Sequence, residues 1–359
     1  MQRLSKFFIS IIIFVLTALH LASCGQGESY SSTSFTCFNT EVYVSVKGEL
    51  DEQTKNEIKT TLFDLENKVS LTRDSSDMKK FNENSSVTVS DQTAYLISRA
   101  KECFDLTLGK FNPAVLPLLD LYRLSSSTYE THYIRYSPPL EIYISDVLTL
   151  CDFNSVTLDQ ENKVLSKSKE GVRIDLGGIT KGYAVDLIKD ILSSKGLLEG
   201  FINVGGSSIY VLDYDKNLSV KHPRENGKYI LSIDCKNIKN SPLSTSGDYV
   251  RCYIDDDGNR YSHIIDSKTG KTVNTGFSSV TLIANGDIQG NKKSALFTDA
   301  ISTSLMLMEK EEMINFVKDN LIGFTVYAVY EKDGTRQIIT NADEGFYSIV
   351  DASYSLFKF

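Results

Sequence analysis

The spacing of apolar residues along the chain predicts strands and helices in alternation. The segment TEVYVSVKG changes between apolar and polar residues at almost every position, as a half-buried strand does. A helix is predicted next by apolar residues that recur every three or four positions, at Ile58, Leu62, Leu65 and Val69. A second helix is predicted over residues 91–106, because Gly109 and Pro113 then interrupt the pattern.

The rest of the chain adds more strands, several hairpins and two further helical patterns. Residues 125–139 are polar and irregular, which predicts a surface excursion, and the turn QENK predicts a hairpin within residues 153–174. A helix over 184–195 is closed by Gly196, and the segment GFINVGGSSIYVLD then reads as a buried strand. Residues 298–319 carry one long helical pattern. This mixture predicts an α+β fold with mainly antiparallel sheets and flanking helices.

Composition narrows the class of protein. The chain has 359 residues, of which 41% are hydrophobic and 23% charged, with a formal net charge of -8. That length suits one large domain or two intimately packed subdomains. The acidic balance argues against nucleic acid as a partner, because binding to a phosphate backbone needs a basic surface.

The first residues have the layout of an export signal. Positive charges at Arg3 and Lys6 precede an apolar stretch, which predicts a signal peptide over residues 1–23. The sequence LASC resembles a bacterial lipobox, in which Cys24 is lipidated; a plain signal peptide or a single anchor helix is the alternative. Residues 24–36 are rich in Ser, Gly and Thr and are predicted to be a lipidated tether, with the folded domain at 37–359.

Three segments carry candidate chemistry. In DLGGITKG, Gly177, Gly178 and Lys181 come where a helix is expected to begin, and helix N-termini favour anions. The alternative is close packing, because the spacing matches neither the Walker loop nor the dinucleotide fingerprint. In a helix, Asp299 and Thr303 share a face and offer the hard oxygen donors that magnesium prefers, although helix capping and a bond within the same turn would also explain them.

The third segment contains a histidine next to a tight turn. His263 lies at the end of a predicted strand in RYSHIIDSKTG, on the same face as Ile265. A histidine in such a position is either structural or a general base.

Taken in order, the motifs DLGGITKGYAVD, INVGG, STSGDY, HIIDSKTG and TDAISTS resemble the FAD:protein FMN transferase family, also called ApbE. Upstream, DSSDMKKFN and TLGKFNPAV resemble the family's N-terminal segments, so the resemblance covers nearly all of the chain after the tether. It implies an ApbE-like fold. It also implies an enzyme that takes FAD and, with Mg²⁺, transfers FMN to a Ser or Thr hydroxyl of a partner protein and releases AMP.

Two other outcomes stay open. Some relatives pass FMN to water and so act as FAD diphosphatases, and a non-catalytic FAD-binding lipoprotein is the alternative from another class. Together with the lipobox, the resemblance places the protein on the outer side of the cell membrane, facing the periplasm where there is one.

The resemblance also assigns roles to residues of this chain. The metal ligands would be Asp299, Thr303 and the backbone carbonyl of Thr180, and Asp299 would also be catalytic. Asp175 and Lys181 would position the glycine corner, which would hold the FAD diphosphate, and His263 would be the catalytic base. The remaining cofactor-binding residues implied are Asn82, Ser246, Gly247, Asp248, Tyr249, Ile264 and Asp266. One departure from the family is Ser267, where relatives usually have proline.

Overall fold

The computed structural model describes residues 29–129, 136–285 and 292–359. The predicted signal peptide and the lipidation site at Cys24 lie outside these residues. None of the described helices is both long and apolar enough to cross a membrane.

The helices of the described residues are α1 (Glu52–Val69), α2 (Asp77–Glu83), α3 (Asp91–Leu106), α4 (Leu116–Leu121), α5 (Glu141–Leu148), α6 (Gly177–Ser194), α7 (Ala295–Met306) and α8 (Lys310–Asn320). The strands are β1 (Tyr30–Cys37), β2 (Thr40–Lys47), β3 (Ser86–Thr88), β4 (Val156–Asp159), β5 (Val164–Lys167), β6 (Gly200–Val204), β7 (Ser208–Val211), β8 (Asn217–Lys221), β9 (Tyr229–Asp234), β10 (Ser241–Gly247), β11 (Cys252–Ile254), β12 (Arg260–Ser262), β13 (Phe277–Ala284), β14 (Phe324–Lys332), β15 (Thr335–Thr340), β16 (Tyr347–Ile349) and β17 (Ser355–Lys358).

One large sheet organises the molecule. Its nine strands follow the order β1-β2-β6-β7-β10-β13-β14-β15-β17. Neighbours in this sheet pair antiparallel, except for β15 and β17, which pair parallel. Two three-stranded sheets, β16-β9-β8 and β3-β5-β4, and the ribbon β11-β12 complete the β structure of the described residues. The predicted α+β class with mainly antiparallel sheets is confirmed.

The central strands of the large sheet are buried on both faces. In β14, Val326 and Ala328 join the main core beneath α6 and α7, whereas Tyr327 and Val329 join a second core on the opposite face. Successive side chains of a strand alternate between faces, so one strand serves two cores. This explains why all eight residues of β13 are buried.

Several predicted elements agree closely with the structure. Helix α3 has the predicted bounds; Ser90 caps its start and Gly109 follows its end with a positive φ of 82°. The strand predicted from TEVYVSVKG is β2, and β4 with β5 forms the predicted hairpin. Gly196 follows α6 with a φ of 73°, the left-handed conformation that glycine adopts without strain.

The predicted start of the folded domain at Cys37 is wrong. Strand β1 begins at Tyr30 and pairs along its whole length with β2, so residues 30–36 belong to the sheet rather than to a tether. β1 is an edge strand, and an edge strand can be held by backbone hydrogen bonds while its Ser and Thr side chains face solvent. That is why its sequence lacks an apolar rhythm.

Three other boundaries differ because of tertiary contacts. The long pattern over 298–319 is divided into α7 and α8 at Leu307, whose carbonyl accepts from Lys110 Nζ at 2.7 Å. Helix α6 begins at Gly177 rather than at 184, and the predicted buried strand around INVGG is the hairpin of β6 and β7. Within the predicted surface excursion, Tyr136 is buried instead.

Helices α6 and α7 cross at a glycine. A Cβ atom at position 182 would overlap the carbonyl oxygen of Ala295 and would lie 2.7 Å from the Cα of Leu296. Only a residue without a side chain lets the two backbones approach this closely. The crossing fixes the position of α7 relative to the start of α6.

The change Gly182→Ala should destabilise the protein by about 3 kcal/mol, because the added methyl group meets backbone atoms that cannot rotate away. Gly196→Ala is a matched control: its Cβ would meet no atom within 4 Å. It should cost only about 1–2 kcal/mol of left-handed strain. Urea denaturation of the variants checks this, and equal losses at the two positions would contradict the close crossing.

Candidate active site

The glycine corner is the first turn of α6. Asp175 lies just before the helix, and its Oδ1 accepts a hydrogen bond from the Gly177 amide at 2.7 Å. The Asp175 amide donates to the carbonyl of Pro113 at 2.9 Å, which ties the corner to the TLGKFNPAV segment. Gly178 faces the ring of Phe111. The predicted positioning role of Asp175 therefore has a structural basis, and the Gly177 amide is already engaged.

Asp299 lies against this corner from α7. Its carboxylate is only 4% exposed, and Oδ2 accepts from the Gly182 amide at 3.0 Å. Lys181 Nζ lies 3.9 Å from the same oxygen. Burial raises the pKa of Asp299, while Lys181 and the Gly182 amide oppose the rise. The structure thus brings Asp299 and Lys181 together at the glycine corner, as the sequence predicts.

Thr303 follows Asp299 on the same face of α7. Its hydroxyl donates to the carbonyl of Asp299 at 3.2 Å, so the alternative of a bond within the turn is also realised. The hydroxyl of Ser246, from the end of β10, lies 2.9 Å from that of Thr303. Ser246 is therefore joined to the predicted metal ligands through Thr303.

These donors suit a magnesium ion. A carboxylate and a threonine hydroxyl are hard oxygen ligands, and a bound cation stabilises a buried carboxylate. Ser208 has a buried hydroxyl with no hydrogen-bond partner among the described residues, yet it is close enough to lower the pKa of Asp299. The Thr180 hydroxyl donates to the carbonyl of Leu176 at 2.8 Å, and the role of the Thr180 carbonyl as a metal ligand stays a prediction.

His263 is held by the backbone of Arg251. The carbonyl oxygen of Arg251 lies 3.0 Å from the His263 amide nitrogen and 3.1 Å from Nδ1. A carbonyl only accepts, so Nδ1 carries the proton in this contact and Nε2 has the free lone pair. Burial, with the nearby charge of Arg251, lowers the pKa of His263 to about 3. The imidazole is therefore neutral at pH 7, as a base must be.

Other predicted flavin-side residues have protein partners. Both carboxylate oxygens of Asp248 accept from Arg224, at 2.7 and 2.9 Å, and Arg224 also donates to Glu331 at 2.8 Å. A Cβ at Gly247 would lie 2.5 Å from the Tyr249 ring, so glycine is required there. Asp248 thus holds the loop after β10, and its contact with a cofactor stays a prediction.

Three further predicted cofactor-binding residues, Asn82, Ile264 and Asp266, also contact other parts of the protein. Asn82 donates to the carbonyl of Ile174 at 2.9 Å and accepts from the Ile174 amide at 2.8 Å, so both polar groups of its side chain are engaged. Ile264 packs into the main core. Asp266 closes its own turn by accepting from the Lys268 amide at 2.8 Å. Their ligand contacts also remain predictions.

The turn after His263 is anchored despite the missing proline. The hydroxyl of Ser267 accepts from Asn112 Nδ2 at 2.9 Å, and Gly270 has a φ of 73°. Lys110 lies 3.4 Å from Asp266 and also donates to the carbonyl of Leu307 at the end of α7. Lys110 therefore links this turn to the helix that carries Asp299.

A second group of possible ligands does not form a metal site. His222, Glu225 and Asp351 lie close together, but the amides of Arg224 and Glu225 both donate to Nδ1 of His222 at 3.1 Å. Nδ1 is therefore the acceptor, and Nε2 carries the hydrogen that points to Asp351 at 3.1 Å. A protonated Nε2 has no lone pair for a metal.

Two positioning residues were missed by sequence reasoning, Gly182 and Asp186. Asp186 lies one turn after Gly182 on α6, and its two oxygens accept from the amides of Ala295 and Leu296, at 2.7 and 3.0 Å. It thus anchors the first turn of α7. A carboxylate within the apolar pattern of a predicted helix was the available signal for Asp186.

Asp186 should make stability depend on pH. Burial raises its pKa from the usual 3.8 to about 7, so between those values the folded protein keeps a proton that the unfolded chain releases. This contribution is fully favourable below pH 4 and is lost as the pH rises to 7. Asp186→Asn has no carboxyl group to titrate. Between pH 4 and 7 the wild type should therefore lose at most about 4 kcal/mol of unfolding free energy relative to this variant. Urea titrations at several pH values measure the difference; a constant difference would contradict the burial of the charge.

Known proteins share both sequence and fold with this chain. The ApbE family model matches residues 38–327. The FAD:protein FMN transferase of Vibrio cholerae is 26% identical, over 94% of this chain and 98% of the relative, and that of Haemophilus influenzae is 25% identical over 98% of each.

Solved structures are similar over most of the chain. The ApbE protein of Thermotoga maritima superposes with a TM-score of 0.72 at 30% identity, covering 84% of this chain and 94% of that one. The flavin transferase ApbE of Vibrio cholerae has a TM-score of 0.73 at 24% identity, covering 89% and 98%. Because the ApbE family model spans most of its length, this chain belongs to the ApbE family.

Proposed function

We propose that this enzyme transfers FMN from FAD to a Ser or Thr hydroxyl of a partner protein and releases AMP, with Mg²⁺ as cofactor. The observation that carries the proposal is the buried carboxylate of Asp299, held by the Gly182 amide beside Lys181. The curated relatives that match nearly the whole chain are FAD:protein FMN transferases, which supports the same reaction.

We expect the metal and the diphosphate to bind next to each other at the glycine corner. Asp299, Thr303 and the Thr180 carbonyl would hold the magnesium ion. When bound, this ion would neutralise charge on the diphosphate and on the leaving AMP. Lys181, which lies 3.9 Å from Asp299 and 3.3 Å from the carbonyl of Gly177, supplies a further positive charge at the corner.

His263 would accept the proton of the acceptor hydroxyl. Its Nδ1 is turned to the Arg251 carbonyl, so Nε2 is the atom that receives the proton. The hydroxyl oxygen then forms a bond to the phosphorus of the FMN half. The bond from that phosphorus to the bridging oxygen breaks, and AMP leaves with the electron pair.

We also propose that the enzyme works outside the cytoplasm, tethered to the membrane through lipidated Cys24. The layout of residues 1–23 and the lipobox-like LASC support this location. The fold reaches back to Tyr30, so the tether would be short, over residues 24–29.

Asp299→Asn should lower AMP release by about a thousandfold or more, because it removes the charge that holds the cation. The assay follows AMP and covalently bound flavin with FAD and Mg²⁺, with and without an acceptor protein. Asp190→Asn, an exposed carboxylate on α6 with 71% of its side chain accessible, is the matched control and should leave the rate unchanged.

The same assay separates the possible functions. Flavin that stays attached to the acceptor after denaturation supports transfer, whereas rapid AMP release without acceptor indicates a diphosphatase. If the wild-type enzyme binds FAD but releases no AMP with either water or acceptor, the chain is an FAD-binding protein and the proposal is wrong.

His263→Gln should lower kcat by about 10²- to 10⁴-fold while FAD affinity stays within about twofold, because a general base acts on the reacting proton rather than on binding. Since the pKa of His263 is lowered to about 3, kcat/KM of the wild type should show no acidic limb from this group between pH 5 and 8. A limb near pH 6.5 that disappears in the variant would contradict a buried, neutral imidazole.

A further inference from the structure

Arg251 stands directly opposite His263. In the ribbon of β11 and β12, Cys252 pairs with Ser262, so the next pair beyond the ribbon is Arg251 and His263. The hydrogen bond from the His263 amide to the Arg251 carbonyl continues the ladder to this pair. Side chains of directly opposite residues project from the same face with Cβ atoms about 5 Å apart. The Arg251 side chain therefore leaves the backbone beside the His263 side chain.

Aromatic rings cover the same face of the ribbon. The neighbouring pair on this face is Tyr253 and Tyr261. The ring of Tyr136 stacks on Tyr253 at 4.4 Å between centroids, and that of Tyr129 lies 5.2 Å from it. These rings pack over the tyrosine pair that lies next to Arg251 and His263 on this face.

The side chain of Arg251 is partly buried, and its guanidinium has no hydrogen-bond or ion-pair partner among the described residues. Burial lowers its pKa, while Asp175 and Tyr129 partly offset this effect. Over residues 29–129, 136–285 and 292–359 it makes no hydrogen bond and no ion pair, in contrast to Arg224, which grips Asp248 and Glu331. A partly buried cation without a partner is costly, and an anionic ligand would remove that cost.

The carboxylate of Asp175, which acts on Arg251, already accepts a hydrogen bond elsewhere. Asp175 acts on Arg251 from a distance, but its Oδ1 accepts from the Gly177 amide at the start of α6. The Lys181 ammonium also influences His263. Lys181 from α6 and Arg251 from the ribbon thus both act electrostatically on His263, and Asp175 is the carboxylate that acts on Arg251. This arrangement suits a phosphate group next to the imidazole.

We propose that the Arg251 guanidinium binds the FMN-side phosphate of FAD, the phosphate whose phosphorus is attacked during transfer. The planar guanidinium can donate two parallel hydrogen bonds to two phosphate oxygens and so fix the phosphorus beside Nε2 of His263. As the acceptor oxygen bonds to the phosphorus and AMP departs, these donors remain on the oxygens that stay with FMN. The inference rests on the proposed function, because it needs FAD as the substrate.

The test compares Arg251→Gln and Arg251→Lys with the wild type, by flavin fluorescence titration with FAD in the presence of EDTA. Arg251→Gln should weaken FAD binding by about 10- to 100-fold, and Arg251→Lys by less, because lysine keeps the charge but not the forked donors. Arg73→Gln is the matched control: Arg73 pairs with Glu66 on α1, has 45% of its side chain exposed, and should leave the affinity unchanged.

Turnover and melting temperature separate this inference from the proposed function. If Arg251→Gln melts near the wild type and binds FAD equally well, the assignment of Arg251 is wrong while the transfer reaction stands. If Arg251→Gln does not fold, Arg251→Lys decides: an about threefold or greater loss of FAD affinity supports the assignment, and wild-type affinity overturns it. A wild-type enzyme that does not bind FAD would overturn both proposals.

Discussion

The hydrogen bond from the Gly182 amide to the Asp299 carboxylate joins the two helices on which the site is built. It can form only because position 182 has no side chain, which lets the backbone of α6 meet the backbone of α7 at Ala295. The contact places the buried Asp299 carboxylate against Gly182, the residue next to Lys181, near the first turn of α6. Thr303 and, through it, Ser246 then take their positions from the direction of α7.

Helix α7 is held at both ends, so the carboxylate cannot drift from this crossing. Asp186 accepts from the amides of Ala295 and Leu296 at its start. At its end, Lys110 donates to the carbonyl of Leu307, and the Thr275 hydroxyl donates to that of Met306 at 2.8 Å. These partners satisfy groups that a helix leaves unpaired at its termini. A short rigid helix thus presents the Asp299 and Thr303 oxygens at fixed separation.

Several motif residues are held in place by neighbouring protein groups. Asp248 is bound by Arg224, and Asn82 is bonded twice to the backbone of Ile174. Asp266 closes a turn that Asn112 and Lys110 attach to neighbouring segments. The Arg251 guanidinium and the Nε2 of His263 have no hydrogen-bond partner among the described residues, and Lys181 contacts only Asp299 and the Gly177 carbonyl there. The chemistry we propose depends on Lys181, Arg251 and His263, and the surrounding residues hold these side chains in position.

The sequence alone determined the features that depend on local pattern. The α+β class, helix α3, the hairpin of β4 and β5 and the shared face of Asp299 and Thr303 follow from periodicity and turn residues, which act over a few positions. The ApbE resemblance came from short motifs in order, and of the residues it named, Lys181 and Asp299 lie together at the crossing.

Tertiary structure decided what depends on distant partners. Strand β1 exists because β2 pairs with it. Helix α7 ends where Thr275 and Lys110 bind the carbonyls of Met306 and Leu307, and α6 begins at Gly177, whose amide donates to Asp175. Likewise, Gly182, Asp186 and Arg251 acquire their roles only when α6, α7 and the ribbon meet. Sequence spacing records which side chains share an element, but close backbone contact and an unpaired buried charge arise only between elements.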